Sequence, residues 1–394
     1  MKIFFLFLFL LFCESDAQLV KKTMKNIPDT WQTKDYTNTF GEDSDYAINP
    51  PGFIIQDNLT AIDTVTGLQW ERTDGGEMTY ESAGLYCDTL TLDGFSNWRL
   101  PNCHELFSLL HFDKPNPTLP DAVFPKTAAE YWWSSQNQIN DNTKAWVTNA
   151  GGGVGNHIKK ETISAGGTKR FHVRAVRDIL PPKEYQSRHI QNADGTITDN
   201  LSGLMWKQQP LQDSLNWESA LQIAEETNFA GASDWRLPNI KELQSLNDED
   251  YSNPSINPMF NGQISVGKYW SSTSLPNQTT KAWYLDTRFG ITTYAVKTDK
   301  LKVILVRSAE NTLDVVESEN VLPYTMNLIN NTVHFESNYP IESMSCYDLT
   351  GQILYTNKDR LYSLDIPQNP EGCYIVSFTI NGHTYRTSYI QAAR

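Results

Sequence analysis

Two periodicities run along this chain. In the first, apolar residues recur three and four positions apart. "LNWESALQIAEETN" places Trp217, Ala220, Leu221 and Ala224 at helical spacing, with Asn216 as the candidate cap. "IKELQSLND" is shorter and puts Ile240, Leu243 and Leu246 on one face. The second periodicity is two. "DGTITDNLSGLMWKQ" alternates through Thr196, Ile197 and Thr198, then turns at Ser202-Gly203. "KYWSST", "KAWYLDT", "ITTYAVK" and "LKVILVR" are rich in β-branched and aromatic residues, which predicts strands. Between the helices, "DWRLPN" reads as a loop, because Pro238 disfavours helix at Leu237 and suits a helix start just after it. Two helices followed by short strands predict an α+β domain with an antiparallel sheet.

The same pattern occurs earlier in the chain. "NWRLPN" at 97–102 precedes "DWRLPN" at 234–239, so Trp98 and Trp235 stand 137 residues apart. Glu105-Leu106 and Glu242-Leu243, the two "WSS" tripeptides (133–135, 270–272) and the two "KAW" tripeptides (144–146, 281–283) keep that spacing. "TGLQW" and "SGLMW" are 136 apart, and "AVR" and "LVR" 130 apart; insertions of this kind fall in loops. The chain therefore holds two copies of one domain, at 50–180 and 185–310, which read as tandem globular domains and not as a solenoid.

The remaining segments differ. From 323 to 394 the chain carries short alternating strands with turns at Thr350-Gly351 and Asn381-Gly382, predicting a small all-β sandwich. The acidic stretch 311–322 reads as a linker. Residues 1–17 have a basic start, an apolar run from Ile3 to Cys13 and a small-residue cleavage site after Ala17, the pattern of a signal peptide. A lipoprotein variant would use Cys13, but Phe12 fits that site poorly. Residues 18–49 form a lead-in. No second apolar run is long enough to span a bilayer.

Composition then narrows the function classes. The net charge of −14 argues against general nucleic-acid binding and leaves room for a local basic patch. "HIKKETISAGGTKRFHVRAVR" (157–177) is such a patch, with Lys159, Lys160, Lys169 and Arg170; Lys297, Lys300 and Lys302 form its shorter counterpart. These cations suit the sulfates or carboxylates of a polyanionic glycan, against a plainer reading as a solvated sheet edge. Eight tryptophans pair between the copies (Trp70/Trp206, Trp98/Trp235, Trp133/Trp270, Trp146/Trp283), which favours core over sugar stacking. Trp31, Trp132 and Trp217 lack a counterpart and are the better candidates for exposure. Arg99 and Arg236 suit a structural role in the loop, with Glu105 and Glu242 as candidate partners. Cys87 and Cys103 are both present in the first copy and both replaced, by Ala224 and Ile240, in the second; that joint change predicts a disulfide. "NCHELF" sets Cys103 beside His104, but adjacent helical residues diverge and the second copy has neither nucleophile nor base. No catalytic, metal-ligating or cofactor motif stands out.

The repeated motifs "TITDNLSGLMW" (196–206), "SDWRLPNIKEL" (233–243), "YWSST" (269–273), "AWYLD" (282–286) and Val306-Arg307 resemble the C-terminal-domain family of the Legionella collagen-like adhesin, the Lcl C-terminal domain. "DTWQTKDYTNTFGEDSDY" (29–46) is similar to the segment that often precedes such domains. The resemblance implies two tandem C-type-lectin-like domains and binding of sulfated glycans. It also implies a second cysteine near "VRAVR", where this chain has Ala175. "YDLTGQIL" (347–354) and "GCYIVSFTINGHTYRTSYI" (372–390) resemble the sorting domain of the type IX secretion system, which implies export across an outer membrane by that machinery.

Together these features predict a secreted or outer-surface adhesion protein without enzymatic activity or cofactor, recognising acidic or host-surface glycans weakly through two modules on one chain. The alternative is a structural envelope or matrix protein with protein-docking modules. An enzyme of the kind that some lectin-like folds host, dependent on a cysteine pair, ranks last because only one copy has the pair.

Overall fold

The computed structural model describes residues 19–309 apart from 115–118, 126–127, 165–166, 168–169 and 261–264, and beyond them 324–329, 332–348, 352–358, 361–366, 372–380 and 383–391. The expected signal peptide, linker and Lys169 lie outside the described residues. The chain divides into two compact units, one ending at Ala309 and one beginning at Glu310.

Among its described residues the first unit is mostly β with four short α-helices. Strand β1 (Val20–Lys22) belongs to the lead-in. The first copy opens with β2 (Phe53–Gln56), β3 (Thr60–Asp63) and β4 (Leu68–Glu71), followed by α1 (Tyr80–Thr89) and α2 (Cys103–Ser108). Then come β5 (Tyr131–Gln138), β6 (Asp141–Asn149), β7 (Val154–Ile158), β8 (Phe171–His172) and β9 (Val176–Asp178). They form two sheets, ordered β2-β3-β4-β9 and β7-β6-β5-β8, antiparallel except that β8 runs parallel to β5. Strand β10 (Lys183–Tyr185) then pairs with β1, tying the lead-in to the junction between the copies.

The second copy repeats the plan with β11 (His189–Gln191), β12 (Thr196–Asp199), β13 (Leu204–Lys207), α3 (Trp217–Glu226), α4 (Ile240–Ser245), β14 (Lys268–Ser274), β15 (Lys281–Asp286), β16 (Ile291–Val296) and β17 (Val306–Ser308). Its sheets are β11-β12-β13-β17 and β14-β15-β16. The equivalent of β8 is reduced to a single parallel bridge between Tyr269 and Lys302. The expected strand at 301–307 is therefore only its last part. Val303 and Leu305 enter one core and Ile304 and Val306 another, all fully buried.

The hexapeptide is a helix-start device. In each copy Trp fills the core, while Asn at the N-cap accepts from the N3 amide (2.8 Å at Asn102, 2.9 Å at Asn239). The N3 glutamate accepts in return from the cap's N–H, completing a capping box. All eight paired tryptophans are buried. Trp132 and Trp217 are buried as well, against expectation. Trp217 is the first residue of α3 and donates its indole N–H to the Ser271 carbonyl at 2.8 Å; Trp132 packs into the core shared by the copies. Trp31 is half-buried and stacks on His111, ring centroids 4.8 Å apart.

The expected Cys87–Cys103 disulfide is not formed: both are free, buried thiols. Cys87 faces the core around Trp98 and Trp133, and Cys103 faces a different one. That separation is the physical reason.

The copies are not independent globules. Trp70, Phe107, Trp132 and Trp146 share one core with Trp206, Leu243, Tyr269 and Trp283. Helix α2 packs on its own counterpart α4, and β7 on its counterpart β16. Such self-matching contacts define an isologous, two-fold-like interface within a single chain. Lys241 crosses it: its ammonium donates to the carbonyls of Ser108 (2.7 Å) and Asp29 (2.9 Å), and burial pulls its pKa down to about 7. The lead-in spans the same junction. Gln32 donates to the carbonyls of Phe112 and Ser274, at 3.2 and 2.6 Å, and Asp43 accepts from Thr273.

In the second unit, β18 (Tyr324–Ile329), β19 (Thr332–Asp348), β20 (Ile353–Asn357), β21 (Leu361–Ile366), β22 (Gly372–Ile380) and β23 (His383–Gln391) form one six-stranded antiparallel sheet. The long β19 pairs with β18 and β21 through its first half and with β20 and β22 through its second. Ile341, Met344, Cys346, Val376 and Phe378 are buried there.

Candidate functional site: a lysine cleft in the second copy

The two arginines of the hexapeptides serve structure. Arg236 makes a bidentate pair with Glu242 at 2.5 and 2.6 Å, both side chains almost fully buried. Arg99 makes the same pair with Glu105 at 2.8 and 2.7 Å and adds Asp178 at 2.8 Å, but stays 30% exposed. The difference has a source: the Tyr46 ring of the lead-in lies over Arg236, 5.5 Å from its guanidinium.

The long basic stretch is less available than its sequence suggests. Arg174 is buried, donates to the Glu71 and Arg72 carbonyls at 2.6 Å, and lies against Phe124 and Trp132. Arg177 is buried too, bonded to Asn97 and Gln69. Arg170 is exposed but paired with Glu77. Lys159 sits 5.0 Å from the centre of the Tyr80 ring, and Lys160 is exposed. Lys297 is the counterpart of Lys159: each carbonyl accepts from the first N–H of its helix, Tyr80 in one copy and Trp217 in the other. The Lys297 ammonium lies 3.6 Å from the centre of the Trp217 ring, and burial lowers its pKa. Both lysines are thus aromatic caps on helix starts.

Lys302 is placed differently. It lines an open polar cleft of about 380 Å³ with Gln209, Pro210, Leu211, Gln212, Ser214, Ser265 and Tyr269. Its ammonium rests against the Ser265 hydroxyl, and Tyr269 donates its hydroxyl to the Ser265 carbonyl at 2.9 Å. Among the described residues no carboxylate pairs with Lys302, nor with the exposed Lys268 and Lys300 nearby in sequence. The volume falls in the range of small-molecule clefts, and several polar groups and one cation converge on it. The sequence singled out Lys302 but missed Gln209, Gln212, Ser214, Ser265 and Tyr269. Polar loop residues give no sign of convergence until the bridge between Tyr269 and Lys302 brings their segments together.

The same place in the first copy is shut. His172 stands where Lys302 stands, Trp132 where Tyr269 stands, and Asp74 where Pro210 stands. Asp74 points inward, 2.9 Å from His172 Nδ1, and accepts from the Trp132 indole at 3.3 Å. Arg174 Nη2 is 3.8 Å from the same carboxylate. The side chains of His172 and Asp74 are almost fully buried.

Groups for catalysis are not assembled around Cys103. Its thiol is buried, which pushes it well above the ordinary range, and His104 engages Glu249 at 3.2 Å. Among the described residues, no group of three or more His, Cys, Asp or Glu side chains is arranged to hold a metal ion, and no helix is long and apolar enough to cross a membrane.

The Lcl C-terminal domain family matches residues 59–177 and again residues 195–307, so the two matches account for more than half of the chain. No curated protein matches the chain.

Proposed function

This chain belongs to the Lcl C-terminal domain family, and from that premise we propose that it is an adhesin-like surface protein that binds acidic glycans through its second repeat. The observation that carries the reading is the Lys302 cleft: an open polar pocket whose cation has no carboxylate partner among the described residues, in a chain of net charge −14. In an acidic protein, an uncompensated lysine beside a cleft is a local attractor for anionic groups. Lys268 and Lys300 extend the positive surface. Each contact is weak alone, and repetition along a polymer raises its effect.

Within the same proposal, the repeats are lectin-like modules, residues 1–17 are an export signal, and residues 323–394 are a type IX sorting domain that delivers the chain to the outer surface. The sequence motifs quoted above support these assignments. The protein acts by binding and without a catalytic centre or cofactor, in keeping with the buried thiol of Cys103 and the engagement of His104 by Glu249.

A glycan-array screen of the mature chain at low and at physiological salt tests the reading. Sulfated and uronic-acid glycans should be captured at low salt and lost steeply as salt rises, because the attraction is screened over about 8–10 Å. Lys300→Glu with Lys302→Glu should reduce the signal. A blank array at low salt would overturn glycan binding and leave the repeats as protein-docking modules.

A further inference from the structure

We propose that the Lys302 cleft binds a single sugar carboxylate in the position that Asp74 occupies in the first repeat, so that one repeat carries its own anion and the other is open for a ligand's. The inference rests on the reading of this cleft as a polyanion site.

The two places correspond by hydrogen-bond register as well as by sequence offset. Gly75 N donates to Val173 O, and Leu211 N to Val303 O, both at 2.9 Å. Glu71 N donates to Ala175 O, and Lys207 N to Leu305 O, both at 3.0 Å. Met78 N donates to Phe171 O, and Leu215 N to Leu301 O, at 3.0 and 2.9 Å. Asp74 is therefore the counterpart of Pro210, His172 of Lys302, and Arg174 of Ile304. The parallel pairing of Trp132 with His172 matches that of Tyr269 with Lys302.

In the first repeat the anion is built in. The Asp74 carboxylate draws on an imidazole and an indole N–H, with a guanidinium close by. The loop that carries it lies tight against the body: a Cβ on Gly75 would come within 2.5 Å of Tyr86 and 2.7 Å of Val173. In the second repeat the loop reads Gln209-Pro210-Leu211-Gln212, with bulk where the glycines were. The carboxylate is gone, the Lys302 ammonium stands at the register position of the His172 imidazole, and a cleft of about 380 Å³ lies between the lysine and the loop. The imidazole that meets a carboxylate in the first repeat is matched in the second by an ammonium with no carboxylate partner among the described residues, which suits a charge-assisted bond to a ligand's carboxylate. With Ile304 in place of Arg174, one positive charge faces the cleft, which matches a monoanionic carboxylate better than a dense sulfate cluster. Ser214, Ser265, Gln209 and Gln212 offer hydroxyl and amide partners for the ring hydroxyls of a sugar.

The test is calorimetric titration of the mature chain with galacturonate oligomers, which carry carboxylates only, and with dextran sulfate, which carries sulfates only. One galacturonate site per chain is expected. Lys302→Gln and Pro210→Asp should each weaken it at least about tenfold, the latter by supplying the missing carboxylate, while Pro210→Asn should leave it intact. The uncharged variant shows that the loop tolerates a substitution, so loss in Pro210→Asp alone supports occupancy by an internal anion. Unchanged galacturonate binding in Pro210→Asp overturns the proposal. Binding of dextran sulfate without galacturonate overturns the carboxylate assignment and leaves polyanion binding standing. Binding of neither overturns both.

Discussion

Arg99 and Arg236 hold equivalent glutamates with equivalent forks, yet they are not energetically equivalent. Arg236 is sealed under Tyr46, so removing it strands Glu242 in a dry site. Breaking a buried pair in this way costs about 3–5 kcal/mol. Arg99 is 30% exposed, and its loss admits water to Glu105 and Asp178. Urea unfolding should therefore show Arg236→Ala as much the more destabilising change and Arg99→Ala as a smaller one; equal losses would contradict the role given to the lead-in. The partnership itself was legible in the sequence, since Arg and Glu recur six residues apart in both copies. Trp132, Trp217 and the cysteines were not. Absence of a repeat counterpart reads as exposure, but Trp217 heads α3 as Tyr80 heads α1, and its buried indole N–H has the Ser271 carbonyl as acceptor. The paired appearance of Cys87 and Cys103 suggested a bond, whereas each sulfur simply fills a core position, as Ala224 and Ile240 do in the second copy.

At the scale of the element, local signals carried far. Helix α3 begins at the cap Asn216, as its spacing predicts, α4 begins just after Pro238 with Asn239 as its cap, and the strands at 268–274, 281–286 and 291–296 fall on the runs rich in β-branched and aromatic residues. Helix α4 has only six residues, too few to hold itself without its cap and its packing. Asn239→Ala, which deletes the acceptor for the Glu242 amide and leaves the Glu242 side chain in place, should cost about 1 kcal/mol, read from the shift in urea midpoint. No measurable shift would mean that the Arg236–Glu242 pair alone sets the helix start. What the periodicity left out was the division of labour in the 301–307 run. Consecutive residues there face two cores, and a buried run of that kind has no alternation to read. The cleft escaped for a similar reason. Pro210 against Asp74, and Lys302 against His172, are visible once the copies are aligned, but only the parallel bridge between distant segments shows that these two differences fall in one place.

At the scale of the molecule, two copies that read as tandem domains share one core, and the consequence is cooperative. Separating the second copy would bare Trp283, whose ring meets Phe112 of the first copy in the shared core, and would leave the Lys241 ammonium without its Ser108 partner. An apolar surface of that kind cannot stand in water. The copies should therefore unfold together. Tryptophan fluorescence isolates this unit cleanly, because all eleven tryptophans lie between Trp31 and Trp283 and none in the C-terminal sheet. A single urea transition in tryptophan emission is expected for the whole chain, and residues 185–310 expressed alone should fail to give a cooperative one. Two resolved transitions, or a well-folded isolated repeat, would show that the shared core is a docking of finished domains. The cooperative outcome has a bearing on function. A first repeat that has closed its own cleft with Asp74 still contributes half of the scaffold on which the open cleft of the second is held. On the proposed reading, one copy supports and the other presents the ligand site.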